Sequence, residues 1–342
     1  MSQRDQSTLS VAIVGNAGGT NIGDSLRRAA ISHGHQLLFF DAYRASCGNR
    51  LLRALSWRLF DRKPLRLKQF SEDVVNACST TARPDFLIAT GGAPLVDSAL
   101  RALRAKGIVC INYSTDDPWS PTQRAQWYLR ALPAYDVVFT PRIANIGDLL
   151  ALGCSDVRYL PFGYDEDLWA TPQQAISAPV YDVLFVGGAD PERVAFMTAF
   201  MHEGPPVALV GAYWERNSAT RPYALGHKPP ETLRALTVAA KVNLCLVRRA
   251  NRDGHVMRSF EIAAMGGCML VEDTAEHRAI LGEDGEAVLY FRSPDEAATR
   301  VHTVLADPLL RAHLGAQAQR RITWKPNRYA DRLETMLRCR AN

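Results

Sequence analysis

The stretch LSVAIVGNAGGTNIGDS (Leu9–Ser25) decides the fold class of this protein. It opens with a short apolar run that predicts a buried strand ending at Gly15, and a glycine-rich turn follows. The next residues predict a helix from about Leu26 to Gly34 and a second strand, QLLFFD, that ends at Asp41. A strand, a helix and another strand in this order predict a parallel βαβ unit.

The same alternation continues along the chain in two blocks. The first block adds the predicted strands PDFLIAT, IVCINYST and YDVVFT, and the second has YDVLFVGG, PVALVG, VNLCLV, CMLVED and AVLYF. Between the blocks lies TPQQAISAP (Thr171–Pro179), whose small, polar and proline residues indicate an interdomain linker. We therefore predict an α/β protein with two Rossmann-like, doubly wound parallel sheets that face a central crevice, where ligand loops gather.

Two domains also agree with the length and composition of the chain. Its 342 residues are 47% hydrophobic and 22% charged, which is typical of a globular protein with room for two cores. The predicted N-terminal domain spans residues 1–170, the linker residues 171–180 and the second domain residues 181–325. Residues 326–342 have the spacing of a helix that could pack back on the first domain.

The cysteines and the apolar runs indicate in which cellular compartment the protein is expected. Seven cysteines are scattered along the chain and none are spaced as C-x-x-C, which argues against a disulfide framework and against a zinc site. The first ten residues are polar, and no apolar run approaches the ~18 residues of a membrane-spanning helix. We therefore expect a cytoplasmic protein without a signal peptide.

One segment carries a local excess of positive charge, although the formal net charge is only +5. Asn49–Lys68 contains seven arginine and lysine residues against Asp61 alone, with leucine, tryptophan and phenylalanine between them. This pattern is typical either of a basic amphipathic helix on the anionic inner face of a membrane, or of a solvated helix packed on its own domain. We do not expect nucleic acid as a partner, because the charge is confined to one segment.

The glycines after the first strand form no known nucleotide fingerprint. GNAGGTNIG does not fit G-x-G-x-x-G, which speaks against a nicotinamide-dependent oxidoreductase, and no Gly-Lys-Ser/Thr follows. Gly18, Gly19 and Thr20 therefore form either a ligand loop on the acceptor side or a turn required by tight packing. We expect Asp41, at the end of the second strand, to be structural.

An acidic D-x-D triplet, formed by Asp165 and Asp167, lies in YDEDLW (Tyr164–Trp169). This spacing is associated with sites for divalent metals, but an acidic cluster after a turn also caps the N-terminus of a helix. We predict the capping role and no metal site.

Arginines gather where the loops of the second domain are expected. They are Arg193, Arg248, Arg249 and Arg258. Because a guanidinium group matches phosphate oxygens with two parallel hydrogen bonds, the set predicts a clamp for a diphosphate.

Two groups of carboxylates are candidates for chemistry. Glu261 stands near the head of the apolar helix RSFEIAAMGG, eight residues after Asp253. There it either accepts two hydrogen bonds from ribose hydroxyls or serves as a capping-box acid. In the first domain, Asp116 and Asp117 follow the strand IVCINYST, where they either orient and deprotonate an acceptor hydroxyl or form an Asp-Pro turn.

Several of these stretches resemble one family of enzymes. YDVLFVGGADPERVAFM and VMRSFEIAAMGGCMLVED, and more weakly STDDPWS and VRYLPFGYDEDLW, resemble CgeB-like glycosyltransferases, relatives of the family-4 retaining enzymes. The resemblance covers the chain from about Leu9 to Arg321 and implies the GT-B fold. It also implies a nucleotide-sugar donor carrying UDP, GDP or dTDP, no further cofactor, no metal, and a glycan, lipid-linked or protein acceptor.

The resemblance also implies roles for single residues. The family's E-x7-E motif falls on Asp253, which would contact the donor sugar, and on Glu261, which would bind the ribose. The aspartate shortens the first carboxylate by one methylene. The other implied donor contacts are Gly187, Gly188 and Arg193 at the phosphates, Gly226 and His227 of LGHK near the base, and His255. A non-catalytic nucleotide-sugar or glycan-binding protein of the same fold stays the alternative.

Overall fold

The structure, a computed structural model, describes residues 8–49, 56, 58–59, 61–80, 83–170 and 180–339. The chain divides into two compact units. Unit 1 comprises residues 1–161, 249–252 and 329–342, and unit 2 comprises residues 162–248 and 253–328. The predicted linker Thr171–Pro179 and part of the basic segment, Arg50 and Arg53 included, lie outside the described residues.

The described part of unit 1 contains one six-stranded parallel sheet with the strand order β2-β1-β3-β4-β5-β6. Its strands are β1 (Ser10–Gly15), β2 (Gln36–Asp41), β3 (Phe86–Thr90), β4 (Val109–Tyr113), β5 (Val137–Thr140) and β6 (Val157–Tyr159). Between them run α1 (Ile22–Ser32), α2 (Leu67–Thr80), α3 (Asp97–Ala105), α4 (Gln126–Ala131) and α5 (Ile146–Ala151). Strands β1, β3 and β5 are largely apolar and buried, and β4 is interrupted only by the buried Asn112, as expected when helices cover both faces of a parallel sheet.

Unit 2 repeats this plan with the strand order β12-β11-β10-β7-β8-β9 in its described residues. Its strands are β7 (Val183–Val186), β8 (Val207–Val210), β9 (Ala224–Gly226), β10 (Val242–Cys245), β11 (Met269–Glu272) and β12 (Leu289–Phe291). Its helices are α6 (Glu166–Trp169), α7 (Pro191–Glu203), α8 (Pro230–Ala239), α9 (Met257–Ala264), α10 (Ala275–Leu281), α11 (Pro294–Ala306) and α12 (Pro308–Trp324). The predicted class, two doubly wound parallel sheets, is confirmed.

Each unit has a hydrophobic core of its own. In unit 1 the side chains of Val14, Leu87 and Val138, from three strands of the sheet, belong to one buried cluster. In unit 2 Phe185 and Leu244 belong to another. A separate core in each unit is what defines a structural domain.

In both sheets the direction of strand succession reverses once. The reversal lies between β1 and β3 in unit 1 and between β7 and β10 in unit 2. Doubly wound proteins bind ligands outside the carboxyl ends of the strands at such a reversal. The strand order alone therefore indicates one edge of each sheet as the expected place for a ligand.

The last helix of the chain, α13 (Tyr329–Leu337), belongs to unit 1. It packs against α1, and Nε of its buried Arg332 donates a hydrogen bond of 2.8 Å to the carbonyl oxygen of Pro161. Residues 162–170, which the sequence assigned to the first domain, belong to unit 2.

Two strands and the start of one helix differ from the sequence-based predictions. β6 and β9 were not predicted, because both have only three residues and neither is buried along its length, so no apolar run marks them. α1 begins at Ile22, earlier than predicted, and therefore includes Gly23. A Cβ atom on Gly23 would lie 2.8 Å from the Cα of Gly15, so the glycine permits α1 to approach β1. Within the described residues, no helix is both long and apolar enough to cross a membrane.

The crossing of α12 over the end of α9 gives a test of this packing. A Cβ atom on Gly315, in the middle of α12, would lie 2.3 Å from the carbonyl oxygen of Gly266. Gly315→Ala should therefore lower the free energy of unfolding by roughly 1–3 kcal/mol through overpacking, although alanine is the better helix former. Urea denaturation measures the change.

Gly147→Ala is the matched control, because Gly147 also lies in a helix and a Cβ there would meet no atom within 4 Å. It should leave the stability unchanged or raise it slightly. Equal stabilities of the two variants would contradict the close approach of α12 to Gly266.

Candidate functional site

The reversal point of the second sheet brings together loops that are far apart in sequence. β7 and β10 are hydrogen-bonded neighbours, although β8 and β9 lie between them in the chain. Because the strands are parallel, the loops that follow β7 and β10 leave the sheet at the same edge. Gly187 and Gly188 begin the first of these loops, and Arg248 lies in the second. Three predicted donor contacts thus meet at this edge.

The loop after β7 is held by the neighbouring strand and by an indole. The carbonyl oxygen of Gly187 accepts a hydrogen bond of 2.8 Å from Nε1 of Trp214. A Cβ atom on Gly211 would lie 2.3 Å from the same oxygen, so only glycine fits there. Among the described residues, the N–H of Gly188 donates no backbone hydrogen bond. The sequence predicted no role for Trp214 or Gly211. Its one signal was that the strand PVALVG ends in a glycine, Gly211 itself.

Arg193 connects the two loops. It is the third residue of α7, and its N–H donates to the carboxylate of the helix cap Asp190 at 2.9 Å. Its guanidinium group donates to the carbonyl oxygens of Gly188, after β7, at 3.3 Å and of Leu246, after β10, at 3.2 Å. Its Nε is buried and has no hydrogen-bond partner among the described residues. The predicted clamp residue therefore also braces the loops.

A second guanidinium group lies close enough to repel the first. Burial, followed by the positive charge of Arg248, lowers the pKa of Arg193, while Asp190 and Asp253 oppose the shift. The N–H of Asp253 donates to the carbonyl oxygen of Arg248 at 3.2 Å, which fixes the backbone of this loop. The charges of Arg248 and Asp253 therefore both act on Arg193.

Glu261 is wholly buried, in the second turn of α9. Its Oε2 accepts a hydrogen bond from Arg258, and that guanidinium group lies 5.4 Å from the ring centre of Trp169. Its Oε1 has no hydrogen-bond partner among the described residues. Burial raises the pKa of Glu261, while Arg258 and the nearby side chain of Trp169 oppose the shift. A buried carboxylate oxygen without a partner is costly, so it is a candidate ligand contact.

The alternative role of Glu261 as a capping acid is wrong. α9 begins after Val256, and the side chain of Ser259 accepts the hydrogen bond of 3.3 Å from the N–H of Val256. Glu261 lies two residues further along the helix, too far from its start to reach that N–H. The sequence pattern placed it nearer to the helix start than the structure does.

A buried chain of polar side chains supports this part of α9. The hydroxyl of Ser259 lies 2.8 Å from Nε2 of His277, and Nδ1 of His277 donates to the carbonyl oxygen of Glu272 at 2.8 Å. Burial lowers the pKa of His277 to about 4, so the ring is neutral at pH 7 and accepts from Ser259. The thiol of Cys245 lies 3.6 Å from the same hydroxyl, and both Arg193 and Arg258 act on its pKa. Burial raises the pKa of the Cys245 thiol to about 11, and the charges of Arg193 and Arg258 both oppose the shift.

Both ring nitrogens of His255 are occupied. Nε2 accepts a hydrogen bond of 3.1 Å from the N–H of Phe162, and Nδ1 lies 2.6 Å from the carboxylate of Glu276. In this arrangement His255 fixes the loop before α9 and presents no nitrogen to a donor. Gly226 and the exposed His227 lie at the carboxyl end of β9, the edge strand of the same sheet.

Arg248 and Arg249 are neighbours in sequence but are assigned to different units. The structure groups residues 249–252 with unit 1 and Arg248 with unit 2. Three of the four predicted arginines, Arg193, Arg248 and Arg258, belong to unit 2, and the role of Arg249 stays a prediction.

In unit 1, tight packing involves only some glycines of the glycine-rich turn, and a ligand role for the others stays a prediction. Gly15 and Gly23 permit the close packing of α1 on β1. Gly18 and Gly19 are exposed and have φ values of +71° and +59°, and Thr20 follows them. This exposed turn lies after β1, at the reversal point of the first sheet. Asp41 is structural, since its carboxylate accepts from the N–H groups of Ala17 and Tyr43.

Asp116 and Asp117 differ sharply in their surroundings. Asp117 is 2% exposed, and its two oxygens accept from Nε and Nη2 of Arg252 at 2.6 and 2.9 Å. Oδ1 also accepts from Asn145 at 2.8 Å and from the N–H of Trp119 at 3.0 Å. Burial opposes ionisation, but these hydrogen bonds outweigh it and lower the pKa of Asp117.

Asp117 is therefore an anchor for residues 249–252 and not a base that is free to accept a proton. This is a correction, because the sequence could not show that Arg252 lies beside it. Asp116 is half-buried, and no ion pair or side-chain hydrogen bond engages its carboxylate among the described residues.

The predicted helix cap in the D-x-D triplet is confirmed. Asp165 is the N-cap of α6, and its carboxylate accepts from the N–H of Asp167 at 3.1 Å. Within the part of the chain that the structure describes, no group of three or more His, Cys, Asp and Glu side chains is arranged to hold a metal ion.

Solved structures share this architecture over nearly the whole chain. Sucrose-phosphate synthase from Thermosynechococcus elongatus is 16% identical, with a TM-score of 0.68 over 96% of this chain and 98% of that one. The chain has the GT-B fold. HepE from Anabaena in complex with UDP-glucose is 14% identical, with a TM-score of 0.66 over 96% of this chain and 99% of that one. Trehalose 6-phosphate synthase from Burkholderia multivorans is 13% identical, with a TM-score of 0.63 over 96% and 97%.

The sequence itself matches one family over its C-terminal part. Residues 193–338 match the model of a family described as Glycosyl transferase-like. No curated protein sequence matches the chain at a significant level. The family match begins at Arg193 and includes Arg248, Asp253 and Glu261, so it covers most of the candidate site in unit 2.

The contrast between Asp116 and Asp117 can be tested by matched substitutions. Asp117→Asn removes the charge that Arg252 pairs with, and it should lower the free energy of unfolding by roughly 1–3 kcal/mol. Asp116→Asn should change it by less than about 0.5 kcal/mol, because its carboxylate makes no ion pair or side-chain hydrogen bond among the described residues. Urea denaturation of both variants at pH 7 measures the difference. A stability of Asp117→Asn equal to that of Asp116→Asn would contradict the anchor role.

Proposed function

We propose that the protein is a glycosyltransferase that moves a sugar from a nucleotide-sugar donor to a glycan, lipid-linked or protein acceptor. The observation that carries the proposal is the unpaired Oε1 of Glu261, a buried acceptor at the end of the sheet where this fold class binds ligands. The family match to residues 193–338 supports sugar transfer. The UDP-glucose bound to HepE supports the class of donor.

The diphosphate of the donor would lie beside Arg193 and Arg248. Two guanidinium groups that repel each other gain most from an anion placed between them, because it neutralises both charges. The N–H of Gly188 would donate one further hydrogen bond to a phosphate oxygen. As the bond to the sugar breaks, these groups would stabilise the negative charge that develops on the diphosphate.

The ribose would bind at the carboxylate of Glu261, whose Oε1 is unpaired among the described residues. Its two neighbouring hydroxyl groups can donate to Oε1 and Oε2 of one carboxylate. Arg258 is the partly exposed member of its pair with Glu261, at 23% side-chain exposure. We propose that Arg258 turns from the carboxylate to the incoming diphosphate, so that ribose hydroxyls replace it at Glu261.

Each unit offers one further carboxylate for chemistry, Asp253 in unit 2 and Asp116 in unit 1. Asp253, beside Arg193, would contact the donor sugar, and retention of configuration follows from the resemblance to CgeB-like and family-4 enzymes. Asp116 would orient the acceptor hydroxyl, since Asp117 is fully engaged. Because arginines supply the positive charge at the diphosphate, transfer would need no metal ion.

Contact with an anionic membrane through residues 49–68 stays a prediction. Among its described residues, Leu59 is 67% exposed, whereas Arg62 donates to the carbonyl oxygens of Pro121 and Arg124. A cytoplasmic location at the inner face of a membrane would suit a lipid-linked acceptor.

Glu261 provides the sharpest test of donor binding. Glu261→Ala removes both acceptor oxygens, and charge-assisted hydrogen bonds contribute roughly 1.5–3 kcal/mol each. The folded variant should therefore bind its nucleoside diphosphate at least about tenfold more weakly, because 1.4 kcal/mol is tenfold in affinity. The affinity of Glu261→Gln for the nucleoside diphosphate should lie between those of Glu261→Ala and the wild type. Calorimetric titration with UDP, GDP and dTDP measures the affinities.

Ser259→Ala is the matched control in the same helix. It removes a buried hydroxyl that contacts His277 and the N–H of Val256, so it should lower the melting temperature without changing the affinity for nucleotide. Unchanged nucleoside diphosphate affinity in Glu261→Ala, measured on folded protein, would refute the ribose role.

A further inference from the structure

Unit 2 has a second concave surface, away from the loops that follow its strands. A cavity of about 660 Å³ lies between one face of α12 and the loop that leads into β12. The helix contributes residues spaced three to four apart, which therefore lie on one face. The lining includes His313, Gln317, Arg320, Arg321, Trp324 and Glu286. None of these residues follows the carboxyl end of a strand, so the cavity is distinct from the donor site.

The charges that line the cavity are only partly paired. Arg321 donates to Glu286 at 2.8 Å and to the carbonyl oxygen of Leu281 at 2.6 Å, and its hydrogen bond lowers the pKa of Glu286. Among the described residues, no carboxylate pairs with Arg320 or Lys325. The cavity therefore carries an excess of positive charge.

An exposed indole forms one wall. Trp324 is 73% exposed, although a tryptophan side chain gains more from burial than almost any other. The guanidinium group of Arg320 lies 4.8 Å from the centre of its ring, which orders the indole. An ordered aromatic face beside a cavity is a platform on which a ligand can stack.

The remaining polar groups select the class of ligand. Gln317 offers both a donor and an acceptor, His313 offers ring nitrogens, and Glu286 offers acceptor oxygens. Mixed donors and acceptors suit hydroxyl groups, and the C–H face of a pyranose ring packs on an indole. The unpaired cations suit a carboxylate, sulfate or phosphate on that sugar. The volume is in the range of ligand pockets, whereas a membrane surface would need a convex or flat face.

We infer that the cavity between α12 and the β12 loop binds an anionic saccharide, with Trp324 stacked on a pyranose ring and Arg320 and Lys325 at its anionic group. The site is separate from the nucleotide site and would hold an acidic glycan chain while the donor is bound elsewhere. It does not depend on the role of Glu261.

Isothermal titration of the full chain with a linear trisaccharide of galacturonic acid tests the site, with maltotriose as the neutral comparison. The acidic trisaccharide should bind at least about tenfold more tightly than maltotriose, as expected for a charge-assisted contact. Trp324→Ala should weaken binding of both sugars, and the double variant Arg320→Gln, Lys325→Gln should remove the preference for the acid. Leu309→Ala, at the opposite end of α12 and 82% exposed, is the matched control and should bind as the wild type does.

Three outcomes would overturn the inference. In the first, the acidic trisaccharide does not bind, or Trp324→Ala binds it as well as the wild type. In the second, inorganic phosphate competes fully at equal concentration, which indicates a simple anion site. In the third, vesicles of phosphatidylglycerol bind in a Trp324-dependent way while the trisaccharide does not. Titration of Trp324→Ala with nucleoside diphosphates should match the wild type, which separates this site from the donor site.

Discussion

The parallel pairing of β7 with β10 is the constraint on which the candidate site depends. These strands are distant in sequence, and only the reversal of strand order makes them neighbours. Their loops leave the sheet at the same edge, where Arg193 donates to a carbonyl oxygen in each. The same guanidinium group therefore holds the loops together and supplies positive charge. A substitution at Arg193 would change the shape of the site as well as its charge.

The second feature of the site is a carboxylate in an otherwise apolar helix. Burying Glu261 with one oxygen unpaired is unfavourable, and the pairing of Oε2 with Arg258 offsets only part of the cost. Protein folding alone gives no reason to keep such a group, since an apolar side chain of similar size would pack there at lower cost. A ligand with two hydroxyl groups gives a reason, and it links the buried acid to nucleotide chemistry.

The sequence predicted what local patterns determine. Apolar runs located the long strands of both sheets, and glycines marked the loops after β1 and β7. It could not show contacts between distant residues, such as the pairing of Asp117 with Arg252 across 135 positions. Trp214, whose indole holds the loop after β7, was missed because such a contact has no sequence pattern.

The most direct test of the central claim is turnover by the wild-type protein. The protein is incubated with UDP-, GDP- and dTDP-linked sugars in EDTA, and release of the nucleoside diphosphate is measured by chromatography. We expect release from donors of one nucleotide, and a sharp loss of release in Asp253→Asn with unchanged binding of the bare diphosphate. Binding of a nucleotide sugar without any release, in the presence of candidate acceptors and with or without magnesium, would contradict the account and indicate a binding protein of the same fold.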